Sequence, residues 1–251
     1  MELRDFFRTY PYTALAFSGG ADSSYLLYEG LRWAKKLGVY YVKGAFQPEF
    51  ERRDALCMAK ELGITVTVLE ADPLCDQRVR ANPSNRCYYC KQIILSAIKT
   101  AAARDGFEVI IDGTNASDDI SDRPGYQALR EAGVLSPLRL CGITKEMIRQ
   151  RSREAGLFTW DKPAYACLAT RIPTGESITK EKLQRVEGSE EALFRMDFTD
   201  FRVRIRDNGA LLQFVPEQQK TAVQRMDEIR TELAPYFTEI RIDTKPRERS
   251  K

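Results

Sequence analysis

The sequence contains no histidine, so no imidazole can act as base, nucleophile or metal ligand. Ser-His-Asp triads and His-bearing zinc sites are thereby excluded. Long apolar runs are missing too. No stretch approaches the roughly 20 residues of a membrane-spanning helix, and Met1-Glu2-Leu3-Arg4-Asp5 does not read as a signal peptide. The expectation is a cytoplasmic protein with no membrane partner. An excess of one charge is also lacking. With 39 basic against 36 acidic residues the net charge is only +3, too even to demand a nucleic-acid partner, although a tRNA substrate is compatible with it. Chemistry is left to cysteine, carboxylates, lysine, arginine and bound metal. Six cysteines in a reducing compartment point to metal or sulfur chemistry rather than to disulfides.

The two commonest phosphate loops are absent. No Walker Gly-Lys-Ser/Thr closes a loop, and no dinucleotide fingerprint supplies its third glycine. In their place stands Ser18-Gly19-Gly20-Ala21-Asp22-Ser23-Ser24, between the apolar Tyr12-Thr13-Ala14-Leu15-Ala16-Phe17 and Tyr25-Leu26-Leu27. That pattern predicts a strand, a tight glycine turn and a helix start. The glycines let the backbone approach a ligand, and the amides of the turn and the first helical turn then favour an anion. Ser18, Ser23 and Ser24 add hydroxyl donors. Asp22 would repel a bare phosphate and makes sense as a ligand for a magnesium ion bridging phosphates, so ATP is the expected ligand. The stretch resembles the PP-loop of the ATP pyrophosphatases, which split ATP between the α and β phosphates. The competing reading is a capped strand-to-helix turn with no ligand.

The 251 residues suffice for one large domain and a smaller one. A helix over 23–37 is expected, then a strand over 39–46, a helix over 48–62, a strand over 64–69, a helix over 91–104 and a strand over 109–111. Alternating strands and helices imply an α/β fold with a doubly wound parallel sheet, whose ligands sit at the carboxyl ends of the strands. The fourth strand leads into Asp112-Gly113-Thr114-Asn115-Ala116-Ser117-Asp118-Asp119, either a second wall of the nucleotide site or a self-capping turn, with Asp118 and Asp119 as candidates. A helix over 145–154 closes this part. From residue 172 onward the texture changes to a charged helix over 180–194, a strand over 201–206, the hairpin turn Asp207-Asn208-Gly209, and a strand over 211–215. A helix over 216–233 and a strand over 237–242 complete a small α+β domain, and 245–251 reads as a solvated, frayed tail. The expected domains are 1–165, binding ATP, and 166–251, serving substrate binding and oligomerisation.

Cys87-Tyr88-Tyr89-Cys90 is a C-x-x-C box flanked by Arg86 and Lys91, and Cys167 precedes Leu168-Ala169-Thr170-Arg171. Basic neighbours favour thiolates, the species that attack and bind metal. No fourth cysteine stands at matched spacing, which disfavours structural zinc. Three thiolates suit a four-iron cluster with one iron open. The alternative is a redox pair, Cys87 and Cys90, that regenerates Cys167. Cys57 is expected to pack as a small apolar residue, and Cys75 and Cys141 carry no distinguishing signal. Arg202, Arg204 and Arg206 alternate on one strand, either as a row for an anionic substrate or as a solvated face. Arg171 is a candidate for steering substrate. Trp160 is expected to pack at a domain junction rather than to stack on a ligand ring.

The PP-loop at 18–24, Arg86-Cys87-Tyr88-Tyr89-Cys90-Lys91, and Cys167-Leu168-Ala169-Thr170-Arg171-Ile172-Pro173-Thr174-Gly175-Glu176 together resemble the ATP-dependent sulfur transferases of the LarE type over nearly the whole chain. The resemblance implies synthesis of the nickel-pincer nucleotide cofactor. A carboxylate of pyridinium-3,5-biscarboxylic acid mononucleotide is adenylated, pyrophosphate leaves, and sulfur displaces AMP to give a thiocarboxylate. In single-cysteine members the residue matching Cys167 gives up its own sulfur and becomes dehydroalanine. Three-cysteine members resemble this chain more closely, and there the thiols matching Cys87, Cys90 and Cys167 hold a [4Fe-4S] cluster that carries the sulfur. The resemblance also implies Mg2+, a sulfide or persulfide donor and a homo-oligomer, commonly a hexamer. Rival readings are a tRNA thiolation enzyme, an amidating PP-loop synthetase, and a nucleotide-sensing module without turnover.

Overall fold

Residues 14, 40 and 110 point to one face of a sheet, and residues 15, 41 and 111 to the other. This period-two alternation places Ala14, Tyr40 and Ile110 in one apolar core and Leu15, Tyr41 and Ile111 in another. Both faces are covered, as in any parallel sheet joined by helical crossovers. The structure, a computed structural model, describes residues 1–120 and 123–248.

In chain order the elements are α1 (Leu3–Thr9), β1 (Tyr12–Ala16), α2 (Ala21–Trp33), β2 (Lys36–Lys43), α3 (Glu49–Glu61), β3 (Thr67–Glu70), α4 (Gln77–Arg80), α5 (Arg86–Arg104) and β4 (Val109–Ile111). They continue with α6 (Pro124–Glu131), α7 (Pro137–Leu140), α8 (Lys145–Glu154), α9 (Lys180–Arg195), β5 (Arg202–Arg206), β6 (Gly209–Gln213), α10 (Pro216–Gln224), α11 (Met226–Leu233) and β7 (Ile240–Ile242). The chain forms two compact units. The first comprises Met1–Cys75 and Asn85–Lys162, the second Asp76–Ser84 and Pro163–Lys251.

In the first unit the sheet runs β3-β2-β1-β4, all parallel, with Ala14 opposite both Gly38 and Ile110. Strand order reverses beside β1, the switch point at which such sheets bind ligands. Helix α5 covers one face through Ile98, Ala101 and Ala102. The opposite core gathers Phe6, Phe7, Leu26, Leu27, Met58 and Ile148 from α1, α2, α3 and α8. Gly38 is required by packing, since a Cβ there would lie 2.6 Å from the ring of Phe107.

Helix α2 stops at Trp33, four residues short of the expected end. Ala34 is already extended, and the amides of Lys35 and Lys36 donate to Pro11 O, drawing the chain into register beside β1. Helix α5 begins at Arg86, five residues before the expected start, so the C-x-x-C box is helical and not in a loop.

The second unit has a three-stranded sheet, β5-β6-β7. Asp207 and Asn208, both at positive φ (50° and 61°), make the tight hairpin between antiparallel β5 and β6. Strand β7 joins β6 in parallel after α10 and α11. The single helix expected over 216–233 is two, broken at Arg225, whose guanidinium donates to Met196 O. Segment 76–84 is held by Asn82, at φ 53°, whose amide side chain donates to Pro173 O at 2.7 Å, and by Ile178 N donating to Arg80 O. The expected frayed tail is anchored in part, since Arg247 pairs with Asp200 and its amide donates to Phe214 O. Residues 249–251 of that tail lie outside the described residues.

Candidate active site

The glycine turn leaves the end of β1 and enters α2 through Gly20. Gly19 sits at φ +73°, and a Cβ on it would lie 2.7 Å from Ala55 Cβ of α3, so both conformation and contact demand glycine. The serines brace the turn. Ser18 and Ser23 hydroxyls are 3.0 Å apart, Ser18 N donates to Ser23 Oγ, and Ser23 Oγ donates to Gly20 O. Ser18 is exposed, Ser23 is nearly enclosed and Ser24 is wholly buried. Ser24 thus lies beneath the loop, its hydroxyl without a hydrogen-bond partner among the described residues.

The loop after β4 closes on this turn, for a Cβ on Gly113 would stand 3.0 Å from Ser23 N. Internal bonds hold it in shape: Asp112 accepts from Ser136 Oγ (2.6 Å) and Thr114 Oγ1 (2.5 Å), Asn115 Oδ1 from Ser117 N, and Asp118 Oδ2 from Asn115 N. The loop is both a self-capped turn and a wall beside the glycine turn. Asp118 also pairs with Arg123 at 3.2 Å. Asp22, in the first turn of α2, accepts from Lys145 Nζ at 2.8 Å. Burial pushes its carboxyl above the usual range, a push that Lys145 opposes and Asp118 reinforces. Lys145 went unseen in the sequence because its partner is 123 residues away.

Cys87 and Cys90 lie three positions apart at the start of α5, on one side of the helix. Cys87 is exposed and accepts a 3.8 Å hydrogen bond from Arg86 Nη2. Cys57 is exposed on α3, 3.9 Å from Glu61 Oε1, and does not pack in the core as expected. Cys141 does pack against it, and burial raises its thiol pKa. Trp160 lies under the Arg153 guanidinium, 5.0 Å from its ring centre.

In the second unit Cys167 precedes a 3-10 turn, Leu168–Arg171, and its carbonyl accepts from Thr170 N and Thr170 Oγ1. Arg171 is fully buried and not on the surface where a steering residue would stand. Its Nε and Nη2 donate to Glu190 at 2.8 and 3.2 Å, and its Nη1 to Ala166 O and Thr170 Oγ1. Glu190 also accepts from Val203 N and Tyr165 Oη. The sequence reading missed Glu190 and Tyr165, the former because it lies in a helix that reads as uniformly charged.

The arginine row of β5 is neither free nor fully solvated. Arg202 is 5% exposed and donates to Phe201 O and Ala164 O. Its pKa is lowered to about 10 by burial and then by the cations Arg171 and Arg247. Arg204 donates to Gln213 Oε1 and Thr170 O and is lowered by the same kinds of cause. Arg206 donates to Ile205 O. Cys87 and Cys90 belong to the first unit and Cys167 to the second, and within neither unit do three Cys, Asp or Glu side chains gather as a metal site, among the described residues. No helix among them is long and apolar enough to cross a membrane.

The chain matches no protein-family model. It is 38% identical over 225 residues to an uncharacterized protein of Synechocystis sp., covering 88% of this chain and 83% of that one. Over 207 residues it is 31% identical to the pyridinium-3,5-bisthiocarboxylic acid mononucleotide synthase of Lactiplantibacillus plantarum, covering 81% of this chain and 74% of the synthase. An uncharacterized protein of Methanocaldococcus jannaschii is 27% identical over 208 residues, covering 82% and 79%.

Proposed function

The chain belongs to the LarE-type family of pyridinium-3,5-bisthiocarboxylic acid mononucleotide synthases, and we propose that it is an ATP-dependent sulfur transferase acting on pyridinium-3,5-biscarboxylic acid mononucleotide in nickel-pincer cofactor synthesis. The observation that carries the ATP-dependent part is the glycine turn, with Gly19 fixed against Ala55 and the amides of α2 left without intrahelical partners.

In this reading the turn binds the nucleotide's phosphates through backbone amides and the Ser18 hydroxyl, and the Gly113 loop walls the same end of the sheet. Asp22 fits a magnesium ligand, being the one carboxylate in the first turn of α2, and bound magnesium would offset phosphate charge. A substrate carboxylate oxygen bonds to the α-phosphorus while the bond to pyrophosphate breaks. Sulfur then adds to the acyl carbon, and the AMP oxygen departs with the bonding pair. No histidine is needed, since amides and cations carry the charge that develops.

Arg171 acts indirectly, tying Ala166 and Thr170 to Glu190 so that the backbone on both sides of Cys167 is fixed. Arg204 and Arg206, half-buried on β5, offer cations for the substrate's phosphate or carboxylates, while buried Arg202 holds Ala164 O. Cys87 and Cys90, one helical turn apart, would supply two of the three thiolates that suit a [4Fe-4S] cluster, with Cys167 the third that the resemblance implies. Such a cluster would supply an open iron site for a transferable sulfide. The test is anaerobic incubation with ATP, Mg2+ and the biscarboxylate mononucleotide, reading pyrophosphate and thiocarboxylate mass. Both products support the proposal. Pyrophosphate released with tRNA alone overturns it.

A further inference from the structure

Lys145 opens α8, at the helix end whose dipole disfavours a cation. Its ammonium extends to a second helix start, that of α2, and meets Asp22 at 2.8 Å. A carboxylate in the first turn of one helix is therefore met by an ammonium from the first residue of another. The other charges acting on Asp22 are Asp118, of like sign, and Arg149, one turn along α8 and engaged with Trp160 O and Lys162 O. The side chains of Lys145 and Asp22 are 18% and 27% exposed, so a ligand can reach both. Among the described residues neither has further side-chain bonds of the kind that lock Arg171 and Glu190. Lys145 N is fixed by Ser117 Oγ, and Thr144 caps α8 through Met147 N, so the backbone stays put while the long side chain can swing.

We propose that Lys145 is a phosphate-chain ligand held in reserve, paired with Asp22 only while the nucleotide site is empty. Metal-bound nucleotide breaks the pair, the ammonium passing to the phosphate chain and the carboxylate to the metal. Each charge exchanges one partner for another, so neither is left buried and unpaired. A single phosphate, which recruits no metal to Asp22, leaves the pair intact. The inference rests on the glycine turn being a nucleotide site.

Titration calorimetry with α,β-methylene-ATP and with AMP tests it, on wild type, Lys145→Met, Asp22→Asn and the double variant. With Mg2+, Lys145→Met is expected to weaken the triphosphate analogue about ten- to a hundredfold, as for loss of a charge-assisted bond. AMP affinity should stay unchanged, which also reports an intact fold. In EDTA, Asp22→Asn should bind the analogue more tightly than wild type, because Lys145 is released, and the double variant should lose that gain. Unchanged analogue affinity in Lys145→Met overturns the proposal, as does an equal loss of AMP, which would make Lys145 a structural residue. Wild type binding neither nucleotide would remove the nucleotide site itself.

Discussion

Arg171 and Glu190 form an ion pair with Nε to Oε1 at 2.8 Å, their side chains 0% and 2% exposed. A pair so enclosed is stable only while both charges are present, because either one alone would sit desolvated without compensation. Glu190 also holds the first amide of the β5 core, Val203 N, at 3.0 Å. One carboxylate thus joins α9, β5 and the turn that carries Cys167.

Glu190→Ala is accordingly expected to destabilise the second unit by about 3–5 kcal/mol, the usual cost of stranding a buried charge. Urea unfolding followed by circular dichroism measures this. A loss within about 0.5 kcal/mol, typical of a surface change, would mean that the pair is not structural.

Gly19→Ala meets two obstacles, a left-handed backbone and Ala55 at 2.7 Å. A loss of about 1–3 kcal/mol in stability follows from the backbone alone. Nucleotide affinity should fall with it, because the amides that face the phosphates move. Gly20→Ala is the control, since only Ser18 Oγ, at 3.5 Å, lies near its Cβ position. Equal behaviour of the two variants would contradict the packing argument.

Burial raises the Cys141 thiol above its ordinary 9.0. The native state therefore keeps this proton to higher pH than the unfolded chain does. Its contribution to stability is intact below the ordinary value and is lost as pH rises past it. Alkylation should follow the same order. At pH 8 iodoacetamide is expected to label exposed Cys57 and Cys75 well before Cys141, with Cys141 catching up as the pH is raised. Mass-mapped peptides would show whether the order reverses.

Iron and acid-labile sulfide, assayed on anaerobically purified protein, test the thiol assignment. About four of each per chain, lost in Cys87→Ala, Cys90→Ala and Cys167→Ala alike, is the expected outcome. Absence of iron, with Cys167 converted to dehydroalanine after ATP and substrate, would instead make the chain a single-use sulfur donor.

The glycine turn and the parallel, helix-covered character of the sheet were legible because their causes are local. Paired glycines, Asp22 and an apolar strand occupy consecutive positions, and the alternation of Ala14 with Leu15 needs only a period of two. The start of α5 was not legible. Asn82-Pro83-Ser84-Asn85 reads as loop, and Cys87-Tyr88-Tyr89-Cys90 has little helical propensity, so the helix is extended by tertiary packing. Arg202 looked like part of an outward row, yet Tyr165, with its ring centre 5.0 Å from the guanidinium, covers it. Lys145 and Glu190 acquire meaning only from partners distant in sequence, which periodicity cannot supply.

Segment 76–84 leaves the first unit, joins the second and returns at Asn85. Neither unit is a continuous stretch of gene. An exchange of residues 163–251 with a relative would leave behind Asn82 and Arg80, which bond to Pro173 and Ile178. The transplanted unit would then have to recognise nine residues of foreign origin. Recombination within the family is therefore constrained to carry this short insert along with its distant host, so the two stretches are inherited as one.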